Sequence, residues 1–112
     1  MNNNDIKQIE ISIEEANIAV KLAKALVRLE KNKDFKQVIT EAYFKEDAQR
    51  LVLLKAAPAA QEERIQKAIE SDMNAIGSLF QHFHKIKQLG SMAEKELISA
   101  EEERLELIEE DE

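Results

Sequence analysis

The chain contains no cysteine and no tryptophan, one proline, two glycines and only five aromatic residues among its 112. Without cysteine there is no disulfide framework, no thiolate zinc site and no thiol nucleophile, as suits a reducing compartment. The scarcity of glycine and proline leaves few turn formers in a mixture of Ala, Leu, Ile, Glu and Lys that favours helix. No apolar run of signal-peptide length precedes Ile13, and none anywhere is long enough to span a bilayer. The expectation is a soluble, cytoplasmic protein with no membrane partner. A basic excess is also missing, since the formal charge is −7, so no direct nucleic-acid contact is expected.

The acidity sits at one end. Ten acids lie between Glu94 and Glu112 against Lys95 and Arg104 alone, whereas residues 1 to 93 carry thirteen acids and fourteen bases. Leu97, Ile98, Leu105, Leu107 and Ile108 are interspersed with those glutamates, which is more aliphatic content than a solvating tail needs. Simple fraying with one amphipathic turn and a helical handle for a partner both remain open. Acids at a helix C-terminus oppose the macrodipole, so the last turn is expected to be loose.

What is present is helical periodicity. Polar residues dominate Met1 to Glu10, with Ile6, Ile9 and Ile11 able to brush the body. Ser12 opens S-I-E-E, a capping-box pattern. Behind it Ile13, Ala16, Val20, Ala23 and Val27 form one seam, and Ala19, Leu22, Leu26 and Leu29 a second. A face that wide predicts two neighbours for the helix. Asp34 is the expected cap of a short helix presenting Phe35, Val38, Ile39 and Ala42. Tyr43 and Phe44 fall at an expected bend, and another short helix runs from Ala48 to Lys55, closed by A-A-P-A-A.

From Ile65 on, Ile69, Asp72, Ile76, Leu79, Phe83, Ile86, Gly90, Ala93 and Leu97 alternate steps of four and three, and Ala100, Arg104 and Leu107 keep the phase. Such a heptad predicts shallow helix packing of coiled-coil type. Gly90 could be a C-cap followed by a new capping box, S-M-A-E, but the phase crosses it unbroken and favours one helix. A helix from Gln61 to Glu109 would be on the order of 70 Å long. Its distal third would then be solvated or meet another chain. The predicted class is all-α: a helical bundle or hairpin with a long C-terminal helix. The organisation expected is a flexible segment 1–11, a helical domain 12–97 and an acidic extension 98–112, frayed at the end.

No chemistry-bearing constellation emerges. His82 and His84 are two apart, whereas helical metal sites use spacings of three or four. The glutamates lie in polar helical surroundings, and there is no nucleophile elbow, phosphate loop or HExxH. No catalytic, cofactor or metal residue is assigned, and an enzyme is not expected. Phe35, Ile39, Phe44, Leu51, Ile69, Ile76, Leu79 and Phe83 are the expected core. The aromatic cluster reads as core or as a partner groove with Tyr43 at its lip. Candidate interaction residues are Tyr43, Leu97, Leu105, Leu107 and Ile108.

Two segments, D-F-K-x-V-I…A-Y-F-K-E-x-A-x-R-L-V-L-L-K-A-x-P (Asp34 to Pro58) and D-x-x-A-I-G-x-L…I-x-x-L-G-x-M-A-E-K (Asp72 to Lys95), resemble a group of small all-helical tailed-bacteriophage proteins. That group is mostly of unassigned function, with some members associated with virion or head-assembly genes. The resemblance implies an accessory or structural role in virion or head assembly, in the host cytoplasm or incorporated in the particle. The expected mechanism is association, with the heptad face or acidic handle docking to another copy or to a phage structural protein. The alternative is a host-takeover inhibitor whose carboxylates occupy the basic surface of a host nucleic-acid enzyme.

Overall fold

The computed structural model describes residues 3–110, all helical except Asn32, Ala57, Gln61 and Glu62, with no strand among them. Helix α1 spans Asn3–Lys31 and α2 is the single turn Lys33–Phe35. A π-helical stretch, Lys36–Asp47, leads into α3, Ala48–Ala56. A 3-10 turn, Pro58–Ala60, precedes α4, Glu63–Glu110. The fold is therefore all-α with a long C-terminal helix, as the periodicity predicted. None of these helices is long and apolar enough to cross a membrane. The chain divides into two compact units, Met1–Leu26 with Lys85–Glu112 and Val27–His84.

In the first unit α1 lies antiparallel to the distal half of α4. Ala16, Val20 and Ala93 are buried together, with Ala19 and Leu97 packed against them. Small residues at this seam let the backbones approach closely. A methyl group built on Gly90 would stand 2.3 Å from the Ala23 Cβ and 3.5 Å from the Ala19 carbonyl oxygen. Gly90 is helical and α4 runs through it, with no positive φ among the described residues. The glycine is thus a contact residue and not a cap.

Two expectations about this unit are corrected. Helix α1 starts at Asn3, well ahead of Ser12, so Ser12 lies inside the helix and the S-I-E-E pattern caps nothing. Asp5 in the first turn complements the positive end of the helix dipole, and half-buried Ile6, Ile9 and Ile13 extend the inward face. This longer α1 covers the distal third of α4, where Gln8, Ile9 and Ser12 border the same depression as Glu103 and Leu107. That part of the stripe meets its own chain, and neither open solvent nor a foreign partner is required. The expected fraying of Asp111 and Glu112 lies outside the described residues, as do Met1 and Asn2 of the N-terminal segment.

In the second unit the turn after α1 is capped by Asn32, whose side chain accepts a hydrogen bond from the Phe35 amide at 3.0 Å. Asn32 has extended ψ (132°) and is the cap, whereas Asp34 lies one residue inside the turn. No bend interrupts the chain at Tyr43 and Phe44. The backbone stays in the right-handed helical region at Phe35, Lys36, Asp47 and Ala48, and the turns merely widen so that amides bond five residues back. The half-buried positions follow that wider pitch. Phe35, Ile39, Tyr43 and Asp47 recur every four residues, which turns Val38 and Ala42 outward. An α-helical reading at 3.6 residues per turn had placed both of these inside.

Helix α3 ends as expected. Ala57, immediately before Pro58, takes an extended ψ of 136°. The corner is then tied by two glutamines. The Gln66 amide donates to the Lys55 and Ala60 carbonyls at 2.9 and 2.8 Å, and Gln61 donates to those of Lys55 and Ala57 at 3.0 and 2.7 Å. Below the corner Leu51, Ala60, Ile69 and Ile76 form a buried cluster against which Tyr43, Phe44, Ala48, Ala57 and Met73 pack. Met73 takes the inward place that the heptad had given to Asp72, which is exposed.

Candidate interaction surfaces

The aromatic residues gather in the second unit. Phe44 meets Phe80 edge-on at 5.4 Å and Phe83 at 5.8 Å, and Phe35 lies 5.9 Å from Phe83. Tyr43 is half-buried, 6.0 Å from Phe44. Edge-to-face pairs at these separations contribute about 0.5–1.5 kcal/mol beyond the area they bury. The cluster packs helix to helix. Phe80 escaped the sequence reading, although its position one helical turn before Phe83 was the available signal.

Of the expected core, Leu51, Ile69 and Ile76 are buried, while Phe35, Ile39, Phe44, Leu79 and Phe83 are half-buried. The interaction candidates divide. Leu97 and Leu107 are half-buried on the α1–α4 seam, whereas Leu105 and Ile108 are exposed. Most of the heptad stripe is the seam that holds the chain's own helices, with Ile69, Ile76, Gly90 and Ala93 buried and only Ile65 and Asp72 of its described members from Ile65 to Leu107 exposed. It is not the free docking face expected from its regularity.

Free apolar surface lies elsewhere. In the second unit Val52 and Leu53, 55% and 73% exposed, border a shallow open groove with Ala48 and Gln49. The run L-V-L-L at 51–54 is apolar on every side, so burying Leu51 necessarily turns the next residues out. In the first unit Ile11, Ile18 and Leu22, 53%, 63% and 53% exposed, form an outer seam on α1. On a separate flank Leu89 and Met92 of α4 share a groove with Glu15, Ala19 and Glu96. The sequence predicted two neighbours for α1, and within this unit α4 is the one it has.

Charge is segregated along the first unit. Antiparallel pairing sets Asp5, Glu10, Glu14 and Glu15 at the same end as the acids following Glu94. The other end carries Lys21, Lys24, Lys85 and Lys87, with no acid in 16–26 or 85–93. Arg104, inside the acidic end, reaches Glu101 at 3.4 Å, while its Nε is buried without a hydrogen-bond partner.

His82 and His84 are exposed, and no cluster of three metal-ligating side chains occurs among the described residues. Glu70 is held below the ordinary glutamate value by a 2.8 Å hydrogen bond from Lys55 and by that ammonium's charge, the glutamate being exposed and the lysine half-buried. No protein-family model, curated protein or solved structure matches the chain.

Proposed function

We propose that the protein acts by protein–protein association through its outer helical faces, holding or spacing partners and performing no reaction of its own. The observation that carries this reading is the exposed Val52–Leu53 face with its adjoining groove. Contiguous apolar surface open to water is characteristic of contact sites. The resemblance of Asp34 to Pro58 and of Asp72 to Lys95 to tailed-phage proteins supports virion or head assembly as the setting, with a phage structural protein as partner. Leu53→Asp leaves the buried cluster intact and should abolish capture of particle proteins from infected-cell lysate, with partners identified by mass spectrometry. Capture of the same proteins undiminished by Leu53→Asp would remove this face from the account.

One observation favours a second reading. The acids of both helices meet at one end of the first unit, a concentration that could substitute for phosphates on the basic surface of a host nucleic-acid enzyme. Salt-sensitive capture of a polymerase or nuclease, with no particle protein, would transfer the assignment to that inhibitor role.

A further inference from the structure

The geometry points to a specific occupant for the outer flank of the first unit: a second copy of this chain, laid antiparallel across α1 and α4. The inference rests on the association reading and assigns it a surface and a geometry. On α4, Lys85, Leu89, Met92 and Glu96 follow one another at steps of four, three and four, which places them in one row. Leu89 and Met92 are about half exposed, and Lys85 and Glu96 are exposed. The row is complementary to its own reverse. When two copies run antiparallel and cross between Leu89 and Met92, Leu89 meets the partner's Met92 and Lys85 meets the partner's Glu96, twice by symmetry.

On α1, Ser12, Glu15 and Ala19 border the same groove, and the small Ala19 leaves room between the helices. Two helices from each copy would complete a four-helix arrangement, giving α1 its second neighbour. Electrostatics selects the direction. A parallel copy would set Lys85 against Lys85 and Glu96 against Glu96, whereas an antiparallel copy pairs each Lys85 with the partner's Glu96. Such complementarity also predicts that association weakens as salt rises.

Sedimentation equilibrium over a range of concentrations reads the outcome, with circular dichroism confirming that each variant stays helical. The wild type is expected to form a dimer. Leu89→Asp should render it monomeric. Lys85→Glu and Glu96→Lys should each weaken the dimer by about tenfold, and the double variant Lys85→Glu/Glu96→Lys should restore it. Residues eleven apart on one helix do not touch, so rescue can arise only between chains. A wild type that remains monomeric at the highest soluble concentration overturns the inference, as does a dimer indifferent to Leu89→Asp or a charge swap without rescue. None of these failures alters partner capture through Val52 and Leu53, so the broader association reading stands or falls on its own experiment.

Discussion

Gly90 shows how a single atom decides the sign of a substitution. On propensity alone Gly90→Ala would stabilise a continuous helix by about 1 kcal/mol. The added methyl would instead sit 2.3 Å from the Ala23 Cβ, a rigid neighbour, and overpacking of this kind destabilises by about 1–3 kcal/mol. A net loss of stability in urea denaturation is expected, relieved when Ala23→Gly is added. A stabilised single variant would mean that α1 and α4 do not approach this closely. Leu51, the largest side chain wholly removed from water, is the corresponding test of the second unit. Leu51→Ala should lose about 2–5 kcal/mol, and a loss under about 1 kcal/mol would contradict its burial. Asn32→Ala should lose about 1 kcal/mol through its cap, whereas Asp34→Ala, if Asn32 is the cap, should lose less.

At the scale of elements, the corner between α3 and α4 joins hydrogen bonding to ionisation. Lys55 holds Glu70 at 2.8 Å and Gln66 at 3.2 Å, and Glu70 titrates below its ordinary value. A lowered carboxyl pKa contributes stability above the unfolded-state value and loses it as pH falls through the folded-state value. Chemical denaturation across the acid range should therefore show a slightly steeper stability decline in the wild type than in Glu70→Gln, small because the pair is screened by solvent. Identical pH profiles would mean that the pair does not persist in solution. How far these elements could be read in advance depended on how local their causes are. Pro58 and the heptad carry their meaning in the chain itself, and α3's end and the phase through Gly90 were legible. The capping box at Ser12 was an equally local signal, but the helix began earlier, because Ile6 and Ile9 gain a partner only when α4 lies beside them. The wide turns of Lys36–Asp47 likewise accompany the packing of Phe35 and Phe44 on the rings of α4 and of Tyr43 on the buried cluster, which no periodicity of 3.6 anticipates.

For the molecule as a whole, the regular heptad stripe is spent largely on the chain's own packing, and the less regular outer faces carry the exposed apolar residues. That distinction was not legible in the sequence, because a seam buried within one chain and a seam between chains have the same spacing. The absence of cysteine permits a direct test by placing spin labels at Gln8→Cys and Glu103→Cys. These positions border one depression on the paired helices, whose axes should lie about 8–10 Å apart. Pulsed dipolar spectroscopy should give a short, narrow distance distribution that persists when labelled chain is diluted with excess unlabelled chain. A long or broad distribution, or a short one that disappears on dilution, would show that the distal stripe of α4 is not covered by its own α1 and would return it to the role of docking face.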